Sequence, residues 1–432
     1  MPIELLDSKL KESEMIRTNT VVAALVFALA VSPHARAEQD GFLHAHGQPL
    51  FPIGFYSAPE DEAAYADMAE AGVNLIRCGG VADLDRAHGY GLNGWISLPM
   101  SGELTPEGEK QIMDVLDHPA LAVWEGPDEM VWNFTAYSGL FRDGTHERKG
   151  AWSEQTPKAV AFAEQQAATI MPNVQRWTAR IRELDAQKRP IWFNEAYTSD
   201  VLYMRQYLGA VDITGCDLYP VKSVSRNIAE VGDFTERFNQ VGKGKPVWMV
   251  LQAFSWHEVK TEEALPPVYP TFAESRFMAW NAITHGAKGV LYWGSSYTKN
   301  QDFIQSLYAV TSELAGLQPF LTAPDESGVS LNLIEEPTLE KRRGVSRIAR
   351  YVENEGLVVL VNEDDVPHFG TEVQGLDALK GRTMHQLHGN EACEVVDGAF
   401  VTRLLPREVK IFSTTLEVAS TRLAGRDFGL TE

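Results

Sequence analysis

The chain has 432 residues, 44% of them hydrophobic and ten of them tryptophan, enough apolar material for one large core and a smaller one. Its 38 basic side chains against 59 acidic ones give a net charge of −21, which repels phosphate and argues against nucleic acid or an anionic membrane surface as partner. The three cysteines, Cys78, Cys216 and Cys393, are too few for a disulfide framework.

The first segment reads as a leader. The apolar run Val21–Val31 follows Arg17, and SPHARA ends small-x-small at Ala35 and Ala37. This predicts a secretory signal cleaved after Ala37, with residues 1–37 as extension and signal, and a secreted or periplasmic protein. Glu4, Asp7, Glu12 and Glu14 do not suit such a leader, so Met15 reads as the natural start. No later window holds the run of roughly eighteen apolar residues that a membrane span needs.

FLHAHGQPLFPIGFYS predicts a hairpin turning at Gly47-Gln48 and feeding a buried strand over Leu50–Tyr56. An alternation of helix and strand follows. A helix over Glu60–Ala71 stops at Gly72 and leads to a strand over Val73–Arg77. A short helix precedes the strand Gly94–Leu98. A helix over Pro106–Asp117, with Thr105 as N-cap and Glu107 and Glu109 in its first turn, precedes the strand Leu121–Trp124. A long helix over Ala159–Lys188 leads to Pro190–Asn194, and a helix over Asp200–Leu208 leads to Val211–Tyr219. A further helix leads to Pro246–Phe254, Phe272–His285 leads to Val290–Trp293, and a last helix covers Asp302–Leu317.

Eight apolar strands with intervening helices predict an α/β fold, a (β/α)8 TIM barrel over residues 38–321. Beyond Leu321 the pattern changes to short alternating segments, VSLNLI, VSRIARYV, GLVVLVN, AFVTRLL and VKIFST. These predict an antiparallel β-sandwich over 322–420, followed by a tail over 421–432.

The active site of a parallel barrel lies at the C-terminal ends of its strands. Here those ends supply Tyr56, Arg77, Pro99, the group Trp124–Glu129, Asn194-Glu195, Asp217–Tyr219, Gln252 with Trp256, and Trp293. Carboxylates, amides, an arginine and aromatics at one rim suit a sugar, whose CH faces stack on rings while its hydroxyls meet polar groups. The segment Val131–Lys158 adds Trp132, Phe134, Tyr137, Phe141 and Trp152. The tryptophans Trp124, Trp256 and Trp293 suit either sugar stacking or the barrel-top core.

The strand order and these rim residues resemble the clan A glycoside hydrolases, the (β/α)8 superfamily of cellulases and β-galactosidases. Arg77 in GVNLIRCGG matches that clan's arginine after strand two, and Glu129 in WEGPDE its acid/base glutamate after strand four. Tyr219 in CDLYP resembles a strand-six rim aromatic, and Trp293 in GVLYWGS the strand-eight tryptophan. The resemblance implies a glycoside hydrolase in which Glu129 protonates the glycosidic oxygen and Arg77, Asp128, Asn194, Tyr219 and Gln252 bind or orient the sugar.

Two positions depart from that pattern. Asp128-Glu129 stands for the usual Asn-Glu pair, and strand seven ends in Gln252 where the nucleophilic glutamate belongs. Either another carboxylate serves, with Asp217 and Glu195 ahead of Glu125 and Glu258, or the enzyme inverts, or the fold has lost catalysis. Arg77 could also pair with Asp128 or Glu129. His44-Ala45-His46 has metal-site spacing, but it precedes the first barrel strand and no later ligand completes a set. The expectation is a hydrolase acting on an oligo- or polysaccharide with no metal or organic cofactor. The rivals are a non-catalytic carbohydrate-binding protein on a degenerate barrel and a metal-dependent barrel hydrolase.

Overall fold

The computed structural model describes residues 41–45, 47–137, 140–260, 266–334 and 342–415; the expected leader, His46 and the tail over 421–432 lie outside them. The hairpin forms from β1 (Leu43–Ala45) and β2 (Gln48–Leu50). The strand expected over Leu50–Tyr56 is broken after Leu50, and the first barrel strand is the shorter β3 (Ile53–Phe55). Pro52 lies in the break and has no N–H to give to a ladder.

Seven further parallel strands close the barrel. They are β4 (Leu75–Cys78), β5 (Asn93–Ser97), β6 (Leu121–Glu125), β7 (Ile191–Ala196), β8 (Ile213–Asp217), β9 (Val247–Gln252) and β10 (Gly289–Trp293). β10 pairs back onto β3 through Val290 and Ile53. Helices between strands cover the outside, among them α1 (Glu62–Glu70), α2 (Val81–Gly89) and α3 (Pro106–Val115). Thr105 caps α3 as expected, its side chain accepting from the Gly108 N–H.

Side chains alternate between the two faces of each strand. One set, Leu75, Trp95, Val123, Trp192, Ile213, Trp248, Val250 and Leu291, fills the barrel interior. The Trp192 ring lies 6.1 Å from Trp95 and 5.3 Å from Trp248, centre to centre. Gly215 makes room for it, since a Cβ there would lie 2.6 Å from that ring. Leu43 and Leu50 of the hairpin pack on the same cluster. Phe42 meets the Lys288 ammonium at 4.3 Å, just before β10 begins, so His44 sits at the end of the barrel opposite the strand C-termini.

The C-terminal region is two antiparallel sheets. One joins β11 (Ser330–Leu333), β14 (His368–Gln374) and β17 (Ala399–Leu404). The other joins β12 (Val345–Val352), β13 (Glu355–Asn362), β18 (Val409–Ser413), β15 (Thr383–Gln386) and β16 (Ala392–Glu394). Val358, Leu360, Val373, Met384, Phe400 and Phe412 fill the space between them.

A buried ion cluster fastens this sandwich to the barrel. Arg276 donates from Nε to Glu313 at 2.9 Å and from Nη1 to the Val409 carbonyl of β18 at 2.8 Å. His388 meets Glu313 at 3.1 Å and the Trp280 indole donates to it at 2.6 Å. Burial works to raise the Glu313 carboxyl, but Arg276, His388 and Trp280 hold it down to about 2. Removing one partner of such a pair strands the other. Arg276→Met should therefore destabilise the fold by about 3–5 kcal/mol in urea unfolding, and the double change with Glu313→Leu should recover most of it. A loss under about 1 kcal/mol for the single change would show that the cluster does not fasten the domains.

Candidate active site

The residues at the barrel mouth follow from strand parity. Arg77, Glu125, Asn194 and Trp293 lie two residues beyond the interior Leu75, Val123, Trp192 and Leu291, and Asp217 lies four beyond Ile213. All five share the inward face of their strands.

Arg77 forms an ion pair with Glu125, Nε to Oε2 3.0 Å, with Glu125 fully buried. Its guanidinium also stands 5.5 Å from the centre of the Tyr56 ring. The arginine therefore pairs with Glu125, not with Asp128 or Glu129. Burial pushes the Glu125 carboxyl up to about 7 against the pull of Arg77, with the charge of Asp128 adding to the rise. Asp128 accepts from Asn194 Nδ2 at 3.0 Å. Burial raises its carboxyl, opposed by Asn194, Arg77 and the Tyr56 hydroxyl.

Glu129 owes its direction to backbone strain. Its φ and ψ are 47° and 40°, in the left-handed region, at the N-cap of α4 (Met130–Thr135), a conformation that non-glycine residues rarely adopt. The turn is held by its own N–H, which donates to the Asn194 carbonyl at 3.0 Å. Gly126, just before it, packs so tightly that a Cβ would fall 1.8 Å from the Phe193 ring. The turn brings the Glu129 side chain into hydrogen-bond contact with Asp217. Burial pushes Asp217 well above the carboxylate range, and the Glu129 charge pushes it further, while the Tyr219 hydroxyl bonds to it. Glu129 is half-buried and also raised, chiefly by burial.

An aromatic wall stands beside this pair. Tyr219 stacks on Trp293 with ring centres 5.4 Å apart, and Phe254 lies 5.1 Å from each. Trp256 donates from its indole to the Tyr219 carbonyl at 3.2 Å. Tyr297, 5.6 Å from Trp293, carries the wall outward to solvent. Phe254 and Tyr297 were not singled out from the sequence, although each lies within four residues of a strand end.

Two expected site residues, Trp124 and Glu195, face away from the mouth, and Gln252, on the inward face of β9 beside Trp293, has its amide engaged. Trp124 sits between the inward Val123 and Glu125, so it faces outward, fully buried, with its indole donating to Asp185 at 3.0 Å. Glu195 faces outward for the same reason, one residue past Asn194. It accepts from the Val131 N–H at 3.0 Å, Ser199 Oγ at 2.7 Å and the Tyr207 hydroxyl at 3.3 Å, anchoring the start of α4. Gln252 spends its amide on backbone. It accepts from the Val221 N–H at 3.0 Å and donates to the carbonyls of Val221 at 2.9 Å and Phe254 at 3.0 Å. Glu258 is engaged with Tyr269 at 2.7 Å and the Lys299 N–H at 3.0 Å. In the segment after β6, Phe134 of α4 and Trp152 pack on Tyr203.

No family model matches the chain, and no curated protein matches it. Solved structures do. A catalytic mutant of a GH42 β-galactosidase from G. stearothermophilus aligns with a TM-score of 0.51 at 11% identity, covering 84% of this chain and 98% of that one. A β-galactosidase from Bacillus circulans sp. alkalophilus aligns at 0.53 and 8% identity, covering 85% and 99%. A third, from the psychrophilic Marinomonas ef1, aligns at 0.41 and 14% identity over 62% of this chain, which spans 60% of that enzyme's length. The chain thus has the (β/α)8 fold of the first two glycoside hydrolases.

The raised carboxyls bear on stability. Glu195, like Glu125, is pushed by burial from 4.5 to about 7. The folded protein therefore keeps protons that the unfolded chain has released, and stability falls as pH rises from about 4.5 to 7. The thermal midpoint should be higher at about pH 5 than at about pH 7.5, and Glu195→Gln should reduce that difference. An unchanged difference in the variant would contradict the raised Glu195.

Proposed function

We propose that the protein is a glycoside hydrolase that cleaves an oligo- or polysaccharide, with Glu129 and Asp217 as its acid–base pair. The observation that carries this reading is the contact between the two carboxyls beside the Tyr219–Trp293 stack. Two buried carboxyls in contact cannot both ionise cheaply, so near neutral pH they hold one proton between them. Inverting enzymes separate their carboxyls by roughly 6.5–9.5 Å to hold a water. This contact pair is closer, and an arriving sugar has to part it.

As the sugar enters, the shared proton passes from Asp217 to Glu129, the more exposed member, which reaches the glycosidic oxygen and delivers it as the bond from that oxygen to the anomeric carbon breaks. The positive charge developing on the sugar lies against the carboxylates left behind. Water then adds to the anomeric carbon and its proton returns to the pair through Asp217. One water is consumed, two hydroxyls form, and the pair ends with the proton it began with. Asn194 orients Asp128, Arg77 fixes Glu125, and the aromatic wall takes the CH face of the sugar. Carbohydrate is the only partner this chemistry needs. The apolar run Val21–Val31 and the small-x-small end at Ala37 support export to the periplasm or the medium, where polysaccharides are met.

Gln252, in place of a strand-seven carboxylate, favours one rival, a carbohydrate-binding protein without turnover. One experiment separates the two. Glu129→Gln should lower turnover of a cleavable oligosaccharide by about a hundredfold to ten-thousandfold while leaving the thermal midpoint near that of the wild type. Sugar binding without turnover by the wild-type protein would favour the rival.

A further inference from the structure

The mouth of the barrel has more acceptors than donors. Glu125, Asp128, Glu129 and Asp217 converge there, and Arg77, the cation facing them, is engaged with Glu125 at 3.0 Å. An independent feature points the same way. The Asn194 side chain is 2% exposed, and its Nδ2 donates to Asp128 at 3.0 Å, which fixes the orientation of the amide. That leaves Oδ1, on the inward face of β7, buried without a hydrogen-bond partner. Buried acceptors of this kind call for a donor.

A neutral hydroxyl could supply a donor but no positive charge to set against Asp128 and the single negative charge left on the Glu129–Asp217 pair. An ammonium supplies three donors, no acceptor and a positive charge. The faces of Tyr219 and Trp293 beside the pair also favour a cation. A uronic acid would meet like charge, and an N-acetyl group would remove the positive charge and bring another acceptor.

We propose that the sugar bound against Asp128 and Asn194 carries a free primary amine, so that the substrate class is an unacetylated amino-sugar glycoside. The inference rests on the glycosidase reading above and names the substrate of that same site.

Binding of glucosamine, galactosamine and mannosamine to the full chain, each compared with its neutral parent sugar by NMR titration at about pH 6, tests it. At least one amino sugar should bind about tenfold tighter than its parent. The preference should shrink with added salt and approach unity in Asp128→Asn. Equal binding of each amine and its parent by the wild-type protein would overturn the inference. In that case turnover of neutral oligosaccharides that depends on Glu129 would still uphold the hydrolase reading. Amine-selective binding, with no turnover of deacetylated or neutral glycosides, would instead overturn the hydrolase reading and leave the amine site standing.

Discussion

The contact between Glu129 and Asp217 is the constraint around which the barrel rim is organised. Two carboxyls in one desolvated place repel each other unless a proton is kept there. The fold holds them together through strain and packing. Glu129 sits in a left-handed turn, Gly126 lies flat against Phe193, and the backbone of Asn194 ties the turn down. Glu195 works from the outside, holding the start of α4 so that the turn cannot relax. A buried glutamate that looks catalytic by its position is thus part of the support for the one that is proposed to act.

Beneath the pair, the rings of Trp95, Trp192 and Trp248 fill the barrel and keep water from below. This floor is why the carboxyls above it are raised: burial is the first cause for Glu125, Asp128, Glu129 and Asp217 alike. The same low dielectric would strengthen the interaction with any positive charge that develops or arrives there. The sandwich stands outside this economy of charge. The ion cluster that joins it to the barrel, Glu313 balanced by Arg276 and His388, serves attachment.

Much of the fold is legible in the sequence because parallel strands buried on both faces appear as continuous apolar runs between amphipathic helices. That same continuity hides which residues face inward. In LAVWE and IWFNEA nothing in the pattern separates Trp124 from Glu125 or Asn194 from Glu195, and both errors of placement arose there. Gln252 shows a second limit. Its position at the end of β9 could be read, but the backbone groups that engage its amide belong to Val221, 31 residues away, and to Phe254. In the sandwich, the weakly patterned strand His368–Gln374 escaped notice because a bulge between His368 and Thr371 breaks its alternation.

The claim on which this account most depends is that Glu129 and Asp217 share one proton. Carbon-13 NMR of the labelled carboxyl carbons across a pH titration measures this directly. The account predicts two widely separated steps, one of them well above the ordinary carboxylate range, and a collapse to a single step when Asp217 is replaced by asparagine. Two carboxyls that both ionise in the ordinary range, with no response of one to loss of the other, would contradict it.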